Sequence, residues 1–87
     1  MTNRAWRVVV VDDEPLARQT LRMLLTRQPD FLLAAESTHA QGAIEAIATV
    51  RPDVVFLDVH MPELDGFAVV PHLDTTVPPL VVFVTAF

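Results

Sequence analysis

Four short apolar runs divide this chain, separated by stretches in which apolar residues recur at helical spacing. Trp6-Arg7-Val8-Val9-Val10-Val11 is β-branched and too continuous for a strand with one wet face. It predicts a strand covered on both sides, as in a parallel sheet. Asp12-Asp13-Glu14 ends it, and Pro15 suits the first turn of a helix. Ala17, Leu21, Leu24, Leu25 and Gln28 then fall on one helical face, with Arg18, Arg22 and Arg27 outside it, until Pro29-Asp30 breaks the pattern. Residues 31–35 predict a second strand. Thr38-His39-Ala40-Gln41 has the Thr-x-x-Gln form of a capping box, followed by Ala40, Ala43, Ile44, Ile47 and Ala48 on one stripe. Arg51-Pro52-Asp53 stops that helix.

Val54-Val55-Phe56-Leu57 is a third buried strand, and it too runs directly into an acid, Asp58. A loop through Pro62 and Gly66 leads to a helical segment over residues 67–73. Asp65 is its candidate N-cap, and Pro71 keeps it short or kinked. After the turn at Val77-Pro78-Pro79, Leu80–Val84 forms a fourth strand ending at Thr85. The order βαβαβαβ implies a parallel sheet with right-handed crossovers and helices on both faces. The fold class expected is α/β, doubly wound.

Composition narrows the function classes. The 87 residues are 52% apolar and 20% charged, which suits one folded domain and not a disordered tail. Eleven acids against six bases give a net charge of −5, a poor balance for gripping nucleic acid through its phosphates. All six bases are arginines. With no cysteine there is neither a disulfide framework nor a thiolate metal site, which fits a cytoplasmic location. No apolar stretch approaches the roughly 20 residues that span a bilayer, and the N-terminus lacks a signal-peptide pattern, so no membrane contact is expected.

Doubly wound sheets bind ligands outside the carboxyl ends of their strands, where strand order reverses. Asp12 and Asp13 follow the first strand, Asp58 follows the third and Thr85 the fourth. If the first and third strands are neighbours, three carboxylates converge, and they repel unless a cation joins them. Hard oxygen donors without a His/Cys cluster point to Mg²⁺, or Mn²⁺, rather than zinc. An acid after a strand also serves as a helix cap, and Asp12 or Asp13 is placed to cap the helix starting near Pro15. The coincidence of two acidic sites and a hydroxyl at one end of the sheet favours a joint site. His39 and His72 read as helix-surface residues, and Trp6 as a packing residue.

Val9-Val10-Val11-Asp12-Asp13-Glu14, Leu57-Asp58-Val59-His60-Met61-Pro62, Asp65-Gly66 and Val84-Thr85-Ala86 resemble the receiver domain of two-component response regulators. Asp13-Glu14-Pro15-Leu16-Ala17-Arg18 and Val82-Phe83-Val84-Thr85-Ala86-Phe87 look like receivers attached to LytTR-type DNA-binding domains, the LytR/AlgR-like subgroup. The resemblance implies a flavodoxin-like sheet of order 2-1-3-4. Asp58 would be the phosphoacceptor for a sensor histidine kinase, with Mg²⁺ held by Asp12, Asp13, Asp58 and the backbone carbonyl of His60. Thr85 would be the switch hydroxyl, and small Ala86 would leave room for it. Such a module signals by accepting a phosphoryl group and is not a turnover enzyme.

Receivers normally have five strands and a lysine after the fifth. Here the pattern stops after the fourth strand and the chain has no lysine. Residues 1–87 are therefore expected to be the N-terminal portion of a receiver, with a DNA-binding output domain beyond it, and to label weakly on their own. An apolar fourth strand at the edge would invite self-association. Two other readings remain. One is a non-phosphorylatable pseudo-receiver or dimerisation fragment. The other is an aspartyl-nucleophile phosphatase, which wants a second acid two residues after the nucleophile, where this chain has His60.

Overall fold

The computed structural model describes residues 5–59, 66–73 and 76–84. Its elements run β1 (Trp6–Val11), α1 (Pro15–Thr26), β2 (Phe31–Ser37), α2 (Ala40–Val50), β3 (Val54–Asp58), a 3-10 helix (Gly66–His72) and β4 (Leu80–Val84). The four strands are parallel, in the order β2-β1-β3-β4. This is the doubly wound sheet expected from the sequence pattern, with the strand order that the resemblance to receivers implied.

β1 lies at the centre, and the pleat sends alternate valines to opposite faces. Val8 and Val10 pack with Leu21 and Leu25 of α1, while Val9 and Val11 pack with Ala40, Ala43 and Ile47 of α2 and with Val69 of the 3-10 helix. Full burial of one such side chain stabilises the fold by roughly 1.5–3 kcal/mol. Pro71 lies inside the 3-10 helix, in keeping with the short segment expected there.

Four local expectations need correction. The helical faces expected from the sequence include Leu24, Gln28 and Ala48, yet all three are exposed. α1 covers only a narrow line through Leu21 and Leu25, and Leu24 sits nearly a quarter of a turn from that line. The Thr38–Gln41 capping box does not form. The helix starts one residue later than that motif requires, His39 is its N-cap, and no side chain caps it. The Thr38 hydroxyl instead lies 3.2 Å from the His39 ring. Neither Asp12 nor Asp13 is the N-cap of α1; Glu14 is, its carboxylate accepting from the Leu16 N–H at 3.1 Å. Lastly, β2 runs two residues beyond residues 31–35, because Glu36 and Ser37 pair with Val10 and Val11.

The pairing of β1 with β2 slips by one residue between Val8 and Val9, so that Ala34 is passed over in the register. A one-residue slip exchanges the faces of everything beyond it. Ala35 consequently joins the α2 side of the core. Glu36 turns to the α1 side, where it meets two arginines. Gly42 lets the first turn of α2 seat against the end of β2, since a Cβ there would lie 2.7 Å from the Ser37 hydroxyl oxygen.

Candidate functional site

β1 and β3 are neighbours although β2 and α2 separate them in sequence, so strand order reverses between them. The crevice at that reversal is the ligand position of doubly wound sheets. Asp12 is the first residue after β1 and Asp58 is the last of β3. They are only 2% and 7% exposed, and Asp13 beside them is half-buried. One carboxylate oxygen from each of Asp12, Asp13 and Asp58 lies within 4.8 Å of the others.

Unit charges at that separation repel by roughly 3–4 kcal/mol per pair at an effective dielectric near 20. Burial raises the pKa of Asp12 above its ordinary value. The Glu14 N–H partly offsets this by donating to Asp12 Oδ1 at 2.9 Å, while the neighbouring Asp58 and Asp13 carboxylates push the value further up. A buried, oxygen-only set of three acids whose charges oppose one another fits a hard divalent cation such as Mg²⁺ or Mn²⁺. The sequence reading that brought these three acids together thus agrees with the geometry.

Asp12 is held on every side. Its N–H donates to the Ser37 carbonyl of β2 at 3.0 Å, and its own carbonyl accepts from Arg18 Nη1 of α1 at 2.9 Å. Arg18 Nε lies 3.8 Å from Glu36 Oε1. Arg22 grips the same carboxylate with both Nε and Nη2, at 2.8 and 2.9 Å. The Arg22 hydrogen bonds hold the Glu36 carboxyl below its usual range; burial opposes them, and the Arg22 and then the Arg18 charge add smaller lowering effects. Sequence periodicity set Arg18 and Arg22 aside as outward residues and singled out neither Glu36 nor Ser37. One signal was available, a lone glutamate within the otherwise apolar 31–35 run and its continuation.

The His60 carbonyl, the Thr85 hydroxyl and the Asp65 cap all lie outside the described residues. Among the described residues no helix is long and apolar enough to cross a membrane.

Residues 8–87 match the response regulator receiver domain family. The chain belongs to that family. It is 48% identical over 81 residues to the transcriptional regulatory protein BtsR of Salmonella typhi, and 46% identical over 81 residues to BtsR of Escherichia coli K12. Each alignment covers 93% of this chain and 34% of the relative, so the chain spans about a third of the length of the curated relatives it matches. The response regulator domain of Thermotoga maritima CheB has a similar structure, with a TM-score of 0.86 at 30% identity, covering 94% of this chain and 61% of that one. Receiver family and strand order agree, and in this receiver the acid cluster occupies the reversal point of the sheet.

Proposed function

We propose that this receiver accepts a phosphoryl group on Asp58 from the phosphohistidine of a sensor histidine kinase, and thereby controls a transcriptional output. The observation that carries the reading is the convergence of Asp12, Asp13 and Asp58 at the strand-order reversal of a receiver fold. An Asp58 carboxylate oxygen attacks phosphorus, the phosphorus–nitrogen bond breaks, and the imidazole nitrogen leaves with the electron pair. The Asp58 side chain becomes an acyl phosphate. Bound Mg²⁺, or Mn²⁺, supplies positive charge against the acids and the phosphoryl oxygens. Asp12, Asp13, Asp58 and the His60 carbonyl are the ligands we assign to it. The role of Asp12 and Asp13 is to hold that charge beside Asp58; the pKa of Asp12 is raised first by burial and then by its acidic neighbours, both of which a bound cation would offset.

Phosphorylation adds charge and acceptor oxygens, and the Thr85 hydroxyl is the group we assign to follow them. Such a site transfers a phosphoryl group to itself and at most sheds it slowly. We assign residues 1–87 to the receiver portion of a longer cytoplasmic regulator whose DNA contacts come from a separate domain, of LytTR type on the motifs at Asp13–Arg18 and Val82–Phe87. The similar BtsR proteins are transcriptional regulators about three times as long, which supports that assignment. The test is incubation of the longer regulator that carries residues 1–87 with acetyl phosphate and Mg²⁺, followed by intact mass; residues 1–87 alone, without a lysine, are expected to label weakly. One phosphoryl adduct is expected, and it is absent from Asp58→Ala. No adduct in the wild type overturns the reading. Mg²⁺ binding without an adduct supports a receiver that binds but does not accept.

A further inference from the structure

The acid cluster leaves unexplained why an arginine of α1 reaches back to the backbone beneath it. Arg18 Nη1 donates to the Asp12 carbonyl at 2.9 Å. That carbonyl belongs to the peptide unit joining Asp12 to Asp13, so fixing its plane fixes the starting direction of both carboxylates. The opposite side of Asp12 is tied to Ser37, and its side chain to the Glu14 N–H. Without Arg18, the peptide between the two acids would be free to rotate under the mutual repulsion of the cluster.

Arg18 is in turn braced. Its Nε faces Glu36, and Glu36 is gripped through both oxygens by Arg22. Glu36 reaches that position only because the β1–β2 register slips at Val8/Val9; in an unbroken register it would face α2. A register slip beside a site is a known means of re-aiming a side chain. Glu36, already held through both oxygens by Arg22, offsets only part of the Arg18 charge, so Arg18 also places positive charge near the acids.

From this geometry we infer that Arg18, braced by Glu36, is a positioning residue that sets the Asp12–Asp13 peptide and through it the affinity of the acid cluster for a divalent cation. The inference rests on the metal-holding role assigned to these acids above. It carries a sign that separates it from simple electrostatics. Removing a nearby positive charge should tighten cation binding, whereas removing a support should weaken it.

The experiment uses the full chain with Arg18→Met, Arg18→Lys and, as a control, Arg22→Met, which loosens the α1–β2 contact without touching Asp12. Mg²⁺ titration by calorimetry should show Arg18→Met weakening binding by about tenfold, the lower end of what loss of an outer-shell partner costs a metal site. Arg18→Lys keeps the charge but loses the planar fork, so it should weaken binding too. Arg22→Met should change it far less. In the metal-free protein, amide exchange at Asp12 and Glu14, whose N–H groups are both hydrogen-bonded, should accelerate in the Arg18 variants and not in Arg22→Met. Unchanged or tighter binding in Arg18→Met overturns the inference, and so does an equal loss in Arg22→Met. If the wild type binds no Mg²⁺, the metal assignment fails, and the exchange data alone decide whether Arg18 positions the peptide. Should Arg18→Met not fold, Arg18→Lys carries both measurements.

Discussion

β1 and β4 are written in nearly the same letters, Trp-Arg-Val-Val-Val-Val and Leu-Val-Val-Phe-Val, yet they meet solvent very differently. Val8 to Val11 are at most 1% exposed, whereas Leu80 is 64% and Phe83 43% exposed. β1 has a strand on each side and helices across both faces, while among the described residues β4 pairs only with β3. An apolar run therefore specifies a strand, and its neighbours decide how much water the strand loses. The same difference separates the strand ends. Asp12 follows the most buried strand of the sheet, and its desolvation comes from that position. A carboxylate after an edge strand would be better hydrated and less perturbed.

The largest effect that bears on this contrast is in packing. Val9→Ala removes two methyl groups from a fully buried site, and should cost about 2 kcal/mol once the cavity is included. Leu80→Ala removes more atoms but from a largely exposed side chain, and should cost less than about 0.5 kcal/mol. Urea denaturation of both variants measures the difference directly. Equal losses would mean that β4 is covered in solution and that the contrast between the strands is false.

The sequence made much of this legible because β-branched runs and short Pro- or acid-rich breaks mark strands and their ends with little ambiguity. All four strands and both helices follow from that pattern; the convergence of Asp12, Asp13 and Asp58 needed β1 and β3 to be neighbours, which the resemblance to receivers implied and the sheet shows. The local errors share a cause. Helical periodicity gives a face but not its width, so Leu24 and Ala48 went to the core side. The Thr38–Gln41 spacing fits a cap, yet the helix starts a residue late because Ser37, pairing with Val11, extends β2 almost to it. The Arg18–Asp12–Glu36 linkage was beyond reach for a further reason. It depends on a register slip, and no composition or spacing rule locates one.

A smaller effect lies at the end of β1. The folded protein holds the Asp12 proton more tightly than the unfolded chain does, because its pKa is raised by burial and by its acidic neighbours. Unfolding therefore releases that proton at pH values between the unfolded and the raised folded pKa. Stability falls as pH rises through this window and stays lowered above it. Asp12→Asn removes both the slope and one of three clustered charges. In the metal-free protein it should raise stability at neutral pH by roughly 1 kcal/mol, a few degrees in Tm, and it should abolish Mg²⁺ binding. At a pH below the ordinary carboxylate range the gain should vanish, since Asp12 is then neutral in both states. Thermal melts at two pH values measure it. A gain that persists in acid would assign the effect to packing and remove the electrostatic half of the contrast between the strand ends.

The smallest effect sharpens the account of β4 itself. Leu80 lies opposite Val54 in the register, on the α1 side of the sheet but beyond the part that α1 covers. Leu80→Lys replaces an exposed apolar side chain with one whose stem still lies along the sheet and whose ammonium reaches water. Folding stability should change by less than about 0.5 kcal/mol. Association is where the substitution should register, because lysine on an edge strand opposes pairing with another chain. If copies of this chain join through β4, sedimentation should show the wild type shifting toward dimer with concentration and Leu80→Lys remaining monomeric. A dimer that survives the substitution would have to use another surface. A loss of stability comparable to that of Val9→Ala would mean that Leu80 is buried by something in solution, and that β4, like β1, is an interior strand of the assembled protein.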